Sequence, residues 1–289
     1  MMPCTSPGEG SPVVSARSSA AAAPFAGDLF SVAGKVAIVT GGSRGIGAMI
    51  ATGLVRAGCL VYITARKKDA CDAKAAELTE LAEPGSGGCV SVPLDLAAPG
   101  GVDDLVRVVS EHEERLHILV NNAGATWGAP LEEYPLEAFD KVWNINVRAL
   151  FALTVRCLPL LRAAATADDP ARVINVGSID GLGVPALESY AYSTTKAGVH
   201  MLTRHLASRL AGDSITVNAI APGPFDSKMM AFALDDPQTR AAIAANVPLG
   251  RIGEPDDMAG ATIFLASRAG RYLTGAVIPV DGGLSTISR

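Results

Sequence analysis

The sequence is poor in the residues that build metal centres, disulfide frameworks and membrane spans. It has four histidines and five cysteines, and no cysteine stands in a CxxC or zinc-binding spacing. An odd number of unclustered cysteines is typical of free thiols in a reducing compartment. No apolar run reaches the roughly 18 residues that a membrane helix needs. We therefore expect no metal site, no disulfide framework and no membrane insertion.

The charge of the chain excludes a further group of partners. The net charge is −5 and the sequence pI is about 5.4. Such a balance is unsuited to nucleic acid or to an anionic membrane surface, so neither is expected as a partner. Hydrophobic residues make up 49% of the 289 residues, which is enough for one domain with a full core.

The first 29 residues differ in composition from the rest of the chain. They are rich in serine, alanine, proline and glycine and lack hydrophobic periodicity, which predicts a disordered arm over residues 1–29. The arm has no compact apolar core of a secretion signal. A transit peptide stays open because acids are few, although Arg17 is the one basic residue there. We expect a cytoplasmic protein with one domain over residues 30–289.

From residue 35 onward, short apolar runs alternate with helical patterns. The predicted strands cover residues 35–40, 60–64, 89–93, 118–121, 172–176, 215–220 and 276–280. The predicted helices cover residues 45–57, 69–81, 101–112, 136–165, 190–210 and 255–266. Such alternation is typical of a parallel sheet covered on both faces. The sequence thus predicts an α/β fold, a single doubly wound Rossmann-type domain with a seven-stranded parallel sheet.

A tyrosine and a lysine at helical spacing are the centre of the functional prediction. Tyr192 and Lys196 are one turn apart at the start of a predicted helix, about 6 Å along its axis. An ammonium there favours the phenolate, so we expect the tyrosine pKa to fall from about 10 and the phenol to act in proton transfer. A tyrosine and a lysine at this spacing are more often just surface neighbours. The catalytic interpretation of this pair therefore depends on the other motifs of the chain.

Ser178 completes this candidate catalytic group. It follows an apolar run that predicts a buried strand, and its hydroxyl could hold a carbonyl oxygen beside the phenol. Tyr190 is the competing tyrosine, but its fourth neighbour is Thr194, so the spacing selects Tyr192.

A glycine-rich turn joins the first predicted strand to the first predicted helix. Gly41, Gly45 and Gly47 follow the strand in the spacing G-x3-G-x-G, which differs from GxGxxG. Glycines allow a tight turn and a close approach of the backbone, and a helix N-terminus offers free N–H groups to a pyrophosphate. Many turns contain glycine, but this position after the first strand indicates a dinucleotide site.

The end of the second predicted strand distinguishes the two nicotinamide cofactors. NAD sites usually place an acidic residue there for the ribose hydroxyls. This chain has Arg66 instead, and no acid before Asp69. A guanidinium matches a 2′-phosphate in charge and geometry, and Arg44 in the glycine turn could add a second contact. NADP(H) is the predicted cofactor; alternatively, Arg66 is a solvated residue at a helix start.

Seven motifs occur in one order along residues 29–284. They are Thr40-Gly41-x3-Gly45-x-Gly47, Asp95-Leu96, Asn121-Asn122-Ala123-Gly124, Asn146, Ser178, Tyr192-x3-Lys196 and Pro222-Gly223. Their combination resembles the classical short-chain dehydrogenase/reductase family. Within it the sequence is most similar to 3-oxoacyl reductases of the kind associated with rhamnolipid formation, through Trp127-Gly128 and residues 170–175. The resemblance implies NADPH-dependent reduction of a 3-oxoacyl-type ketone to a secondary alcohol.

The resemblance also implies a role for each motif, by matching position. It implies the catalytic set Asn146, Ser178, Tyr192 and Lys196. It implies the cofactor-binding set Gly41, Ser43, Arg44, Gly45, Ile46, Gly47, Arg66, Asp95, Leu96, Asn122, Ala123, Gly124, Tyr192, Lys196, Pro222 and Gly223. In these roles Asp95 would hold the adenine, and Asn146 would brace its helix and hold a water that relays protons to Lys196.

The substrate is less well defined. By resemblance, residues 225–250 form a substrate lid. Its apolar residues suit an acyl chain, or pack the lid on the body; they are Phe225, Met229, Met230, Phe232 and Leu234. Acids stand where carrier-dependent reductases have basic residues; they are Glu132, Glu133, Glu137 and Asp213. They would repel an acidic acyl carrier protein, which leaves a free or coenzyme-A-linked 3-oxoacyl compound, or a sugar acid or polyol as for gluconate 5-dehydrogenase.

Two further expectations concern partners. A catalytically silent NADP(H)-binding regulator is the alternative from another class, but such proteins typically lose the tyrosine or the lysine. The resemblance implies a homotetramer acting on a small carbonyl or alcohol substrate. The predicted helices 136–165 and 190–210, both unusually apolar, would pair between its subunits.

Overall fold

The computed structural model describes residues 25–82, 86–227 and 229–286. Residues 1–24 of the predicted arm lie outside this part. Helix α1 (Phe25–Phe30) includes the last five residues assigned to the arm, and the boundary of the arm stays a prediction. The ring of Phe30 lies 6.4 Å from that of Phe264, and this apolar contact explains why the helix packs on the domain.

In the described part of the chain, seven parallel strands form one sheet in the order β3-β2-β1-β4-β5-β6-β7. They are β1 (Val36–Thr40), β2 (Leu60–Ala65), β3 (Gly88–Pro93), β4 (Ile118–Asn121), β5 (Ala171–Val176), β6 (Ile215–Pro222) and β7 (Val277–Val280). The order reverses between β1 and β4, which opens a crevice at the carboxyl ends of these strands. The predicted sheet is confirmed.

Helices cover both faces of the sheet. After α1 they are α2 (Gly45–Arg56), α3 (Lys68–Glu80), α4 (Gly101–Ser110), α5 (Leu136–Trp143), α6 (Leu150–Ala164), α7 (Tyr190–Leu210), α8 (Ala231–Leu234), α9 (Pro237–Asn246) and α10 (Pro255–Ala266). The helices α2, α3 and α10 build one core with the strands, and α4, α6 and α7 build the other. The doubly wound arrangement is thereby confirmed. Among the described residues, no helix combines the length and hydropathy that a bilayer crossing requires.

A π-helical turn interrupts what the sequence predicts as one helix over residues 136–165. The α-helix α5 ends at Trp143, the turn spans Asn144–Ala149, and α6 follows. Asn146 within the turn is only 2% exposed. A π turn disturbs the regular helical ladder and is frequent at functional sites. The predicted helical span is thus confirmed to within one residue at its end, but hydrophobic periodicity does not reveal this local change of hydrogen-bond register.

Arg172 in β5 is fully buried and fastens α10 to the sheet. Its guanidinium donates to the carbonyls of Leu265 and Ser267 at 3.2 and 3.0 Å, and to the Asp169 carboxylate at 3.2 Å. The two carbonyls belong to the C-terminal end of α10, where a helix lacks internal donors and favours positive charge. Burial lowers the pKa of the guanidinium, and Asp169 opposes that shift.

Replacement of Arg172 by methionine should lower the free energy of unfolding by about 2–4 kcal/mol. The Leu265 carbonyl would lose its donor, and the Ser267 carbonyl and the Asp169 carboxylate would keep only the Gly270 N–H and the Lys35 ammonium. Urea unfolding measures the change. The matched control is Arg162→Met, which removes a largely exposed pair with Asp213 and should cost at most about 1 kcal/mol. Equal losses in the two variants would contradict the role given to the buried guanidinium.

Candidate active site

Three side chains singled out by the sequence meet at the carboxyl edge of the sheet. Ser178 is the second residue after β5, and Tyr192 and Lys196 lie in the first two turns of α7. The Lys196 ammonium donates to the Val176 carbonyl at 2.7 Å, which holds α7 against the end of β5. The Ser178 hydroxyl lies beside the Tyr192 phenol and lowers the pKa of the phenol as its hydrogen-bond partner. The chain therefore presents a serine, a tyrosine and a lysine in one place.

The Tyr192 phenol is a weaker acid than the sequence leads us to expect. Burial raises the pKa of Tyr192 to about 12, the hydrogen bond from Ser178 lowers it, and the Asp180 carboxylate raises it. The Lys196 ammonium is bonded to a backbone carbonyl and lies 5.5 Å from the centre of the tyrosine ring. The expectation that the tyrosine pKa falls below about 10 is wrong for this structure, because the loss of hydration on burial is the largest influence on it and raises it.

Lys196 is perturbed in the opposite direction. Lys196 is only 5% exposed, and burial lowers the pKa of its ammonium to about 8. The ammonium is therefore charged below that pH, while the phenol of Tyr192 keeps its proton. At neutral pH the site holds a neutral acid beside a buried cation.

Asn146 connects the loop after β4 to α7. Its amide donates to the Ala125 carbonyl at 3.0 Å and to the Thr195 hydroxyl at 2.9 Å, and its oxygen accepts the Ala125 N–H at 2.8 Å. Thr195 precedes Lys196 in α7. The position agrees with the predicted bracing, whereas a water relay from Asn146 stays a prediction.

The glycine turn has a backbone shape that is suited to binding an anion. Gly41 and Gly45 have φ angles of +68° and +55°, which glycine adopts without steric cost. A Cβ on Gly47 would lie 2.3 Å from the Gly41 carbonyl oxygen, so the start of α2 packs directly on the turn. This helix begins without an acidic residue in its first turn and without a side-chain cap. Its first N–H groups are therefore suited to an anion.

The loop after β4 lies beside this turn. The Thr40 hydroxyl accepts the N–H groups of Asn122 and Ala123, both at 2.9 Å. The Asn122 amide donates back to the Thr40 carbonyl at 2.8 Å. A Cβ on Gly124 would lie 3.1 Å from the Asn146 oxygen, so only a small residue allows this approach. The predicted residues of this motif thus face the crevice between β1 and β4.

Further predicted cofactor residues lie along the same edge. Arg44 and Arg66 are both exposed, at the start of α2 and directly after β2. Asp95 accepts the Ala97 N–H at 3.0 Å. The others are Ser43 and Ile46 in the glycine turn, Leu96 after Asp95, and Pro222 and Gly223 at the end of β6. The two guanidinium groups are thus accessible where a 2′-phosphate is expected.

Ser227 also contacts the glycine turn, and the sequence analysis did not select it. A Cβ on Gly45 would lie 3.1 Å from the Ser227 Cβ. The neighbouring Asp226 forms a bidentate pair with Arg240 of α9, with distances of 2.7 and 2.6 Å. The beginning of the lid is thereby tied to its second helix and to the turn. A serine five residues after Pro222 was the signal available for this contact.

The apolar lid residues do not all face the crevice. Phe225 and Leu234 are 2% and 4% exposed, and the Phe225 ring fills the space over Gly253. These two pack the lid on the body, as the alternative interpretation has it. Met229 is 36% exposed and accessible. The Phe232 side chain lies outside the described part.

A buried polar chain lies beneath the site. The Asn121 amide donates to Thr154 of α6 at 3.1 Å and to the Asn175 oxygen at 2.9 Å, and the Asn175 amide donates to Thr203 of α7 at 2.9 Å. It joins β4 and β5 to α6 and α7, which cover the same face of the sheet. Among the described residues the Asn121 side-chain oxygen has no hydrogen-bond partner, whereas its amide and the Asn175 side chain are bonded and link the elements they join.

Comparison with known proteins agrees with this geometry. The family model described as enoyl-(acyl carrier protein) reductase matches residues 41–285. The rhamnolipids biosynthesis 3-oxoacyl-[acyl-carrier-protein] reductase of Pseudomonas aeruginosa is 48% identical, over 88% of this chain and 97% of that protein.

Two solved structures extend the comparison. The RhlG/NADP active-site complex of Pseudomonas aeruginosa is 47% identical with a TM-score of 0.85, over 89% of this chain and 99% of that chain. A structure assigned as an NAD(P)-dependent gluconate 5-dehydrogenase of Beutenbergia cavernae, with bound NADP, is 34% identical with a TM-score of 0.81, over 90% and 100%. Both contain NADP, and the NADP(H) prediction is confirmed.

Replacement of Gly47 by alanine should weaken NADPH binding at least about tenfold, because the added Cβ forces the turn away from its anion-binding shape. Titration of NADPH fluorescence measures the dissociation constant. Gly260→Ala in α10 is the matched control, because a Cβ there has no atom within 4 Å. It should leave binding unchanged and add up to about 1 kcal/mol of stability. Unchanged NADPH binding by Gly47→Ala would contradict the role of the glycine turn in binding the pyrophosphate.

Proposed function

Because the chain belongs to the short-chain dehydrogenase/reductase family, we propose that it reduces a 3-oxoacyl-type ketone to a secondary alcohol with NADPH. It is an oxidoreductase that acts on CH–OH and C=O groups. The observation that carries the proposal is the Tyr192 phenol, hydrogen-bonded to Ser178 and close to a buried lysine, at the crevice that the glycine turn borders.

Tyr192 is the proton donor of the proposed reaction. NADPH supplies the hydride when bound. With a pKa of about 12 in the free protein, the phenol is fully protonated at neutral pH and can give its proton to the carbonyl oxygen. The Ser178 hydroxyl donates a hydrogen bond to the same oxygen, on which negative charge develops.

Lys196 and Asn146 support this proton transfer. The Lys196 ammonium lies 5.5 Å from the centre of the tyrosine ring, and its bond to the Val176 carbonyl keeps this part of α7 at the end of β5. We assign it a contact with the nicotinamide ribose as well. Asn146 keeps Thr195, and with it this part of α7, in register with the loop after β4.

The cofactor is held at both ends in this proposal. Gly41, Gly45 and Gly47 admit the pyrophosphate, and Arg44 with Arg66 pair with the 2′-phosphate. The remaining contacts are Asp95 and Leu96 at the adenine, Asn122, Ala123 and Gly124 along the cofactor, and Pro222 and Gly223 at the nicotinamide.

The charge around Tyr190 bears on the carrier of the substrate. Burial and then the hydrogen bond to Glu188 raise the pKa of Tyr190, and the Glu132 carboxylate adds to the rise, so both acids lie near this ring. Tyr190 is two residues from Tyr192. An acidic acyl carrier protein would meet these like charges, which favours a free or coenzyme-A-linked substrate. Asp213 adds little, because Arg162 pairs with it at the far end of α7.

A sugar acid or polyol is the second candidate substrate, and the similarity to the gluconate 5-dehydrogenase structure favours it. A silent NADP(H)-binding regulator is disfavoured, because Ser178, Tyr192 and Lys196 are all present and close together.

We also propose a cytoplasmic homotetramer. Five large apolar side chains are exposed on the helices expected to pair between subunits: Leu136 at 74%, Trp143 at 43%, Phe151 at 46%, Val155 at 41% and Met201 at 61%. Exposed apolar surface of this kind marks an interaction site in many proteins.

Tyr192→Phe should lower kcat by about 100- to 10,000-fold, because the proton donor is removed. NADPH binding should change little, since the ring and Lys196 stay in place. Absorbance of NADPH during turnover of a panel of 3-oxoacyl and sugar-acid ketones measures the effect. Tyr272→Phe is the control, at a tyrosine that is 98% exposed. Normal turnover by Tyr192→Phe would end this account, and turnover by the wild type with sugar-acid ketones alone would select the second substrate class.

Glu132→Lys combined with Glu188→Lys should raise kcat/KM for a 3-oxoacyl-acyl carrier protein about tenfold relative to the same acyl group on a small neutral thiol, because the repulsion is reversed. The gain should shrink as salt is added. Glu80→Lys, at an exposed residue of α3, is the control. No relative gain would show that these acids do not select the carrier.

A further inference from the structure

His200 lies on the same face of α7 as the candidate catalytic residues, one turn after Lys196 and two turns after Tyr192. It is only 3% exposed, and neither ring nitrogen forms a hydrogen bond of normal distance and angle within the described residues. A buried polar side chain without such partners is rare and calls for a specific reason.

The imidazole occupies space that two glycines leave open. A Cβ on Gly177 would lie 2.2 Å from the His200 Nε2 atom, and a Cβ on Gly181 would lie 2.9 Å from its Cε1 atom. Gly181 also approaches the α7 backbone, because the same Cβ would lie 2.6 Å from the Lys196 carbonyl carbon. The ring therefore packs directly against the backbone on both sides of Ser178.

These two glycines bracket the turn that presents Ser178. Gly177 precedes the serine, and Gly181 ends the short 3-10 helix that the serine caps. The Ser178 hydroxyl accepts the Asp180 N–H at 3.1 Å inside this turn and also hydrogen-bonds Tyr192. A shift of the turn relative to α7 would consequently change the serine–tyrosine geometry.

The ring is uncharged at neutral pH. Burial lowers the pKa of His200 to about 4, the Gly181 backbone opposes this shift, and the charges of Lys196 and Arg204 add to it. A neutral ring adds no second positive charge beside Lys196. It can contribute through its shape, since a close-packed interior transmits small displacements.

We propose that His200 is a positioning residue, whose ring fills the space over Gly177 and Gly181 and thereby holds Ser178 at hydrogen-bonding distance from Tyr192. This inference rests on the proposed reduction, in which Ser178 contacts the carbonyl oxygen. A displacement of about 1 Å at such a group can lower turnover about 100-fold.

A double-mutant cycle tests whether His200 acts through Ser178. His200→Ala should lower kcat about 10- to 100-fold with little change in the NADPH dissociation constant. In a Ser178→Ala background, the same change should cost less than about threefold, because the serine is already lost. His200→Gln, which keeps a flat neutral group, should restore most of the turnover. The control His205→Ala alters an exposed residue of α7 and should have no effect.

Equal losses from His200→Ala in both backgrounds would overturn the proposal, as would a folded His200→Gln variant no more active than His200→Ala. A crystal structure of His200→Ala decides the question independently of turnover. The proposal requires the Ser178 oxygen to move away from the Tyr192 oxygen, and an unmoved serine overturns it. Failure of the proposed function would give a different result. The wild type would then reduce no ketone, whereas Ser178 would still move in the crystal structure of His200→Ala.

Discussion

A buried ammonium bonded to a strand end is the constraint on which the site depends. Lys196 donates to the Val176 carbonyl at 2.7 Å, and removal of its charge from water is costly enough to lower its pKa to about 8. This contact sets the height of α7 on the sheet. It thereby places Tyr192 one turn above the lysine, opposite Ser178, and Thr203 two turns below it, opposite Asn175.

The same burial decides the chemistry of the phenol. A lysine near a tyrosine suggests a phenolate, yet the ammonium lies over the ring and is bonded elsewhere, while the oxygen loses hydration. The phenol is therefore stabilised in its protonated form, which is the form that a carbonyl reduction requires. Ser178 opposes this trend, so the position of one hydroxyl adjusts how readily the proton leaves.

Local patterns predicted much of this molecule. Alternating apolar runs identified the strands and most helices, and helical spacing alone selected Tyr192 over Tyr190. Other features depend on contacts between residues far apart in the chain, which no local pattern contains. The π turn around Asn146 is held by Ala125 and Thr195, the buried Arg172 by the end of α10, and the His200 ring by Gly177 and Gly181. The direction of the pKa shift of Tyr192 was predicted wrongly, because residue spacing reveals a neighbouring charge but not how much water the phenol loses on burial.

A titration of the Tyr192 phenol in the free protein tests the central claim most directly. Protein labelled with carbon-13 at the tyrosine ring, with the Tyr192 signal assigned from the Tyr192→Phe variant, would be followed by NMR as the pH is raised. We expect this signal to remain that of a protonated phenol through neutral and mildly alkaline pH, with a pKa of about 12. A Tyr192 signal with the chemical shift of a phenolate near neutral pH would contradict the claim that burial keeps this phenol protonated. It would also contradict the proposed role of Tyr192 as proton donor.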